Sequence, residues 1–417
     1  MNFEDTPEEA AFRAQARAWL AAHARPRDTA RSLAINQETG DFSAELPRAR
    51  AWQASKFDGG FGAIHFPPEV GGRGGSALEH LIFMQEEAAY DVPATDHFMI
   101  VNRGCASLLL QHGREPLHRE LVRPALRADA LWCQLFSEPG AGSDLAGVRT
   151  RAELTGSGDW IVNGQKIWTS NAHLADWGVL LARSDATVPK HKGLTFFIVD
   201  MKAAGIRARP IKQLTGGSNF NEVFLEDVRI PDACRIGAVG GGWKVVVSFL
   251  AGERGNIAVK ELQPLLAALV RLARQVRLGG RPAIEDGGVR ERLASFHLRE
   301  AGMRLTVQRM LTALARREEP GPEIAIGKLV LGTLVQEMTA FALDLMGAQG
   351  AVADAEHAPM AGIWPSEWLG AVVDRLGGGS DEIMRNVIGE RILGLPEDVR
   401  VDKALPFNQL AAGTAAR

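Results

Sequence analysis

The spacing of apolar positions changes character twice along this chain. From Ala11 to His23 apolar residues recur with helical spacing, behind the tetrad Thr6-Pro7-Glu8-Glu9. Thr can cap a helix, Pro suits the first turn because its missing N–H is not needed there, and a Glu three residues after the cap can bond back to it. A helix is therefore predicted from Pro7. Residues 59–75, GGFGAIHFPPEVGGRGG, interrupt the pattern as a Gly/Pro-rich loop, and a further helix is expected from about Ser76 to Ala89. Between about 131 and 240 the texture differs. LWCQLF, WIVNG, WGVLLARS, LTFFIVD and NEVFLEDVRIP are short β-rich runs punctuated by turn residues, with no sustained helical period. From Trp243 helical spacing returns in four long segments, 243–277, 288–318, 322–346 and about 363–393. Pro264 should kink the first, and Gly377–Gly379 should break the last. Long amphipathic segments with short connections predict a four-helix bundle.

The expected fold is mainly α with an inserted β domain. A helical domain would occupy 1–130, a β-barrel-like domain 131–242, and the bundle 243–417. A length of 417 residues agrees with two or three domains. Net charge is -3 and the isoelectric point about 6.4, so nothing argues for nucleic acid or an anionic membrane as partner. No apolar run reads as long enough to span a bilayer, and the acidic start MNFEDTPEEAAF is unlike a signal or transit peptide. Cys105, Cys133 and Cys234 are few, odd in number and widely spaced, which speaks against a disulfide framework and for a reducing cytoplasm. Without C-x-x-C or H-E-x-x-H a metal site has no support. Gly72-x-Gly74-x-x-Ala77 superficially matches a dinucleotide loop, but it follows Pro67-Pro68 and not a strand.

Two stretches carry the candidate chemistry, CQLFSEPGAGSDL at 133–145 and NGQKIWTSN at 163–171. Each mixes apolar β-formers with hydroxyls and glycines. A sheet edge has this texture where backbone and short polar side chains approach a flat, heteroatom-rich cofactor. The plainer reading makes Trp168 a core aromatic and Gly140 and Gly142 parts of an ordinary turn. Likewise Gly347-Ala348-Gln349-Gly350 reads as a helix end. Ser380 reads as an N-cap, with Asp381 and Glu382 in the first turn where acids suit the dipole. Glu253, beside Arg254, could simply be solvated.

Taken together these stretches resemble the acyl-CoA dehydrogenase family. Five landmarks stand in that family's order: FGAIHFPPEVGGRGG, SEPGAGSDLAG, NGQKIWTSN, NEVFLEDVRIP and GGGSDEIMRNVIGERILGLP. The resemblance implies FAD as cofactor and conversion of an acyl-CoA thioester to a trans-2-enoyl-CoA, with electrons passed to an electron-transfer flavoprotein. It places Gln134, Phe136, Ser137, Trp168, Thr169 and Ser170 at the flavin, Ser137 toward the pyrimidine edge and Ser170 near N5. Gly142 and Ser143 lie in a loop that borders flavin on one side and acyl-CoA on the other. Gly347, Gln349 and Gly350 match a segment that contacts a neighbouring subunit's flavin, and Ser380 and Glu382 match further cofactor contacts. The family's cross-subunit Arg before Phe-Gly is poorly matched by Arg277-Leu278-Gly279-Gly280-Arg281-Pro282.

The base also departs from the common pattern. Gly378 occupies the position where a Glu usually precedes the last helix. Glu253 instead matches the branch, including isovaleryl-CoA and long-chain enzymes, whose base lies on the first bundle helix. Arg254 would then hold a loop or the CoA side, and the Gly378 N–H could donate to the thioester oxygen. A homotetramer, or a mixed tetramer with a homologous subunit, is implied. A non-catalytic partner subunit and a flavin oxidase on the same fold are the alternatives.

Overall fold

The structure, a computed structural model, describes residues 5–27, 42–258, 262–315, 321, 324–352, 356–397, 399 and 402–410. It divides into two compact units, and each draws on separated parts of the chain.

The sheet unit takes in Asp41–Gly74, Pro93–Glu253 and Glu397–Arg417. Its strands are β1 (Trp132–Leu135), β2 (Arg151–Leu154), β3 (Trp160–Ser170), β4 (Trp177–Arg183), β5 (Leu194–Asp200), β6 (Ile206–Pro210), β7 (Phe220–Ile230) and β8 (Arg235–Ile236). They run in the order β8-β5-β4-β2-β3-β7-β6, with β1 parallel to β4. The runs WGVLLAR and LTFFIVD become β4 and β5, almost continuously buried along their length. Such unbroken apolar strands belong in a sheet covered on both faces. The helix Asp96–His112 is tied to β1 through Asn102, which is fully buried. Its amide donates to the carbonyls of Ala125 and Ala130 at 2.8 and 2.9 Å, and its oxygen accepts the Trp132 N–H at 3.0 Å. The helix Gly242–Ala258 packs by Phe249, whose ring meets Phe136 edge-on at 5.6 Å.

The helical unit takes in Met1–Gly40, Gly75–Val92 and Arg254–Pro396. The helix Pro7–His23 begins where the sequence places it, with both halves of the Thr6/Glu9 capping box formed. A second capping box, Ser76/Glu79, opens Ala77–Glu87. The bundle core gathers Leu265, Leu269 and Leu272 of Gln263–Gln275, Phe296 of Gly287–Ala315, Leu334 and Met338 of Ile324–Met346, and Trp364.

Three expectations are corrected here. Pro264 does not kink one long helix: it stands in the first turn of Gln263–Gln275, where a proline is accommodated. The fourth segment is the short helices Ile363–Gly370, Val373–Leu376 and Asp381–Val387, the last continuing into a π-helical turn at Ile388–Ile392, and not one helix with a single break. Finally, the helix at Ala325–Ala351 is long and apolar enough to cross a membrane by length and composition, its most apolar 18-residue stretch having mean hydropathy 1.4. Half of that stretch is buried within the protein, because it forms a central element of the bundle. Its Lys328 is 1% exposed and donates to the Asp374 carbonyl at 3.1 Å.

Candidate active site

The two chemical stretches of the sequence lie side by side in the sheet unit. β1 runs into Phe136 and Ser137, and the Ile167 N–H of β3 donates to the Ser137 carbonyl at 2.9 Å. A fully buried ammonium reinforces this junction. Lys166 Nζ donates to the carbonyls of Phe136 and Leu181 at 3.0 and 2.8 Å, and to Glu138 Oε1 at 2.8 Å. Glu138 in turn accepts the N–H groups of Arg149 and Thr150 at 2.6 and 2.9 Å. One buried ion pair thus ties both ends of loop 137–150 to β3 and β4. Burial alone would raise the Glu138 carboxyl, but the Lys166 charge and the hydrogen bonds outweigh it, leaving it below the usual carboxylate range. Burial lowers Lys166, and Glu138 offsets only part of that shift. Loop 137–150 has a second anchor in Arg183, which donates to the carbonyls of Ala146 at 2.5 Å and Val148 at 3.1 Å. Burial pushes Arg183 down to about 10.

The outer side of this junction is unusually free for a sheet. β3 carries a bulge opposite β7: Lys166 pairs Val223, yet Thr169 pairs Asn221. The extra residue re-aims the strand. Trp168, within the bulge, has φ of 60° and is 58% exposed, touching Phe220 edge-on. A bulky residue held in the left-handed region is an outlier that points to a constraint beyond the strand itself. The plainer reading of Trp168 as a core aromatic is therefore overturned. Next to it Thr169 is 1% exposed, and its hydroxyl has no hydrogen-bond partner among the described residues. Asn171 donates to the His97 carbonyl at 3.0 Å, but its own side-chain oxygen is buried without a donor. Ser137, Ser170 and Gln134 are half-buried, while Gly142 and Ser143 are exposed. A methyl group added at Gly140 or Gly142 would have no protein atom within 4 Å, and neither residue has positive φ. A plain turn does not demand glycine there; space kept for something outside the chain does. The hydroxyls of Ser137, Thr169 and Ser170, an exposed indole and an open glycine loop form a set that fits a flat heteroaromatic cofactor such as FAD.

Sequence reasoning passed over Glu138, Lys166, Asn219 and Asn221. Asn221 is fully buried and donates to the carbonyls of Thr169 and Asn219 at 3.0 and 2.9 Å, fixing the end of β3. The available signal was a charged residue inside each apolar motif, one of each sign.

The remaining candidates lie on other elements. Glu253 and Arg254 fall on the helix Gly242–Ala258, and their side chains lie outside the described residues. In the helical unit Gly347, with φ of 56°, ends Ile324–Met346; Gln349 is exposed, and Gly350 is buried against the Leu343 carbonyl. Ser380 caps Asp381–Val387, its hydroxyl accepting from the Ile383 N–H, and Glu382 lies exposed in the first turn. Gly378 has φ of 66°. Arg277 and Arg281 flank a tight hairpin turn at Gly279-Gly280, and both are exposed.

Known proteins align with most of this chain. The family description "Acyl-CoA dehydrogenase, N-terminal domain" matches residues 6–129, "middle domain" matches 133–228, and "C-terminal domain" matches 240–393. Acyl-CoA dehydrogenase FadE34 of Mycobacterium tuberculosis is 36% identical over 362 residues, which is 85% of this chain and 47% of that protein; the chain thus spans about half of that relative's length. Acyl-CoA dehydrogenase IpdE1 of the same organism is 35% identical over 395 residues, covering 93% of this chain and 98% of the relative. Among solved structures, the "Tcur3481-Tcur3483 steroid ACAD" superposes with a TM-score of 0.79 at 27% identity, covering 95% of this chain and 100% of that one.

Proposed function

This chain belongs to the acyl-CoA dehydrogenase family, and on that premise we propose that it removes two hydrogens from adjacent carbons of an acyl-CoA thioester, giving a trans-2-enoyl-CoA. Ser137, Trp168, Thr169 and Ser170 would hold FAD beside the β3 bulge, where a bound flavin would supply the acceptor for the hydride lost from the substrate's β-carbon. The observation that carries this reading is the junction of Ser137 with Ile167. It brings two hydroxyl-bearing segments beside an exposed Trp168 and the unpartnered Thr169 hydroxyl.

The chain's residues divide the work. Ser137 and Ser170 supply hydroxyl donors where negative charge develops, and such donors stabilise most when already oriented before reaction. Trp168 offers area and a π-face, with Gln134, Phe136 and Thr169 completing that side. Gly142 and Ser143 border the acyl-CoA. Glu253 removes the α-proton. It follows Phe249 by four residues on one helix, spacing that puts both positions on one helical face. A carboxylate in a dry site has its pKa raised toward working pH, which suits it to a weakly acidic proton. Gly378, where the family's alternative base would stand, keeps only its backbone N–H, assigned to the thioester oxygen. Arg254 serves the CoA side. Gly347, Gln349, Gly350, Ser380 and Glu382 reach a flavin shared with a neighbouring subunit. Electrons leave to an electron-transfer flavoprotein. The paired name of the steroid relative favours assembly with a second homologous chain, and makes CoA thioesters of steroid side chains the first substrates to try.

The test is anaerobic titration of the FAD-loaded protein with straight, branched and steroid-side-chain acyl-CoA thioesters, following bleaching of the flavin band. Glu253→Gln is expected to keep flavin and ligand binding and to lose most of kcat. A colourless protein that cannot be reconstituted with FAD, or near-native turnover by Glu253→Gln, defeats the assignment. Oxygen consumption without an artificial acceptor would mark an oxidase.

A further inference from the structure

We propose that the C-terminal segment 402–410 is a strap that positions loop 137–150, with Phe407 and Asp402 as positioning residues for acyl-CoA binding. This rests on the reading of that loop as the border of the acyl-CoA site. The sheet unit contains both pieces, although about 250 residues of chain separate Thr150 from Asp402.

The strap is attached by backbone and side chain alike. The Phe407 and Asn408 N–H groups donate to the carbonyls of Val188 and Ala186, each at 2.9 Å, and Pro406 forms a bridge with Pro189. Phe407 is 6% exposed. Its ring centroid lies 3.6 Å from the Arg183 guanidinium carbon and 5.0 Å from that of Arg149. Both arginines belong to the framework of the loop. Arg183 holds the Ala146 and Val148 carbonyls, and the Arg149 N–H is held by Glu138. Among the described residues Arg183 makes no ion pair; its desolvated charge is met by the carbonyls of Ala146, Val148 and Lys190 and by the Phe407 face.

A charge relay adds a second tie. Lys190 Nζ contacts Asp402 Oδ2 at 2.6 Å and Asp144 Oδ2 at 3.1 Å. Asp144 lies in the SEPGAGSD motif itself. The Lys190 carbonyl also accepts from Arg183 at 2.9 Å. Residues 139, 140 and 142–144 are exposed on the outer side of the loop, so its bracing comes from behind. Ser137, by contrast, is held by β3 and does not depend on the strap. Loosening the strap should spread the loop's positions and weaken thioester binding, while leaving the flavin side intact.

The experiment compares Phe407→Ala, Asp402→Asn and their conservative counterparts Phe407→Tyr and Asp402→Glu in the full-length, FAD-loaded protein. Phe407→Ala should raise KM for the acyl-CoA roughly 5–10-fold with kcat and flavin content unchanged, the size expected for loss of the cation–π contacts to Arg183 and Arg149. Asp402→Asn should do the same more weakly and lose its effect at high salt. Phe407→Tyr and Asp402→Glu should restore KM. Hydrogen exchange at the 141 and 147–150 amides should speed up in Phe407→Ala, and should Phe407→Ala not fold, Asp402→Asn carries both readouts. A lower melting temperature with unchanged KM and unchanged exchange in the loop overturns the proposal. If the wild-type protein turns over no acyl-CoA, the functional reading fails, and exchange alone still decides whether the strap braces the loop.

Discussion

At the scale of single residues, the Lys166–Glu138 pair decides most. Lys166 has no exposed side-chain surface, and its ammonium is matched by one carboxylate and two carbonyls. Removing one partner of such a pair strands the other charge, whereas replacing both removes the problem. Lys166→Met should therefore destabilise by about 3–5 kcal/mol, and Lys166→Met with Glu138→Gln should recover much of that loss. Urea unfolding of the two single variants and the double would measure it; additive losses would show that the pair is not coupled. The hydroxyls and glycines of the candidate site stand out in the sequence because serine and glycine are unusual beside apolar strand residues. The exposure of Trp168 could not. It follows from a bulge, which is a matter of how β3 registers against β7, and nothing local to IWTS encodes that register.

At the scale of elements, capping chemistry was legible and helix continuity was not. Thr6/Glu9 and Ser76/Glu79 announce their helices because the bonds are local. Pro264 carries a local signal of two meanings, kink or start, and only packing chooses between them. The apolar helix Ile324–Met346 illustrates a packing demand that composition hides. Gly332 lies where an added Cβ would approach the Asp374 carbonyl oxygen to 2.8 Å. Helix propensity alone favours alanine over glycine by about 1 kcal/mol. At this site the sign should reverse, with Gly332→Ala destabilising by roughly 1–3 kcal/mol as the neighbouring backbone is displaced. Thermal unfolding checks it, and a gain in melting temperature would show that the Asp374 segment yields freely.

At the scale of the whole molecule, the succession of helical, β and helical texture was plain in the sequence. The composition of the two units was not, because the sheet unit joins Asp41–Gly74 and Glu397–Arg417 to the central segment through contacts distant in sequence. Assembly is tested at this scale. Light scattering is expected to report a tetramer, formed by this chain alone or with a homologous second chain. Flavin loading only on co-expression would mark the mixed form, and an active, flavin-loaded monomer would refute both. The attachment of residues 402–410 to loop 137–150 also has a consequence in time. A ribosome adds roughly 5–20 residues per second, so some 13–50 s pass between synthesis of Thr150 and of Asp402. Throughout that interval the emerging strands can pair, while Arg183 and Lys190 still lack Phe407 and Asp402. The nascent protein must therefore complete its loop last, and a chain that stops before Asp402 has the strands of the sheet without the contacts of Asp402 and Phe407 behind the loop.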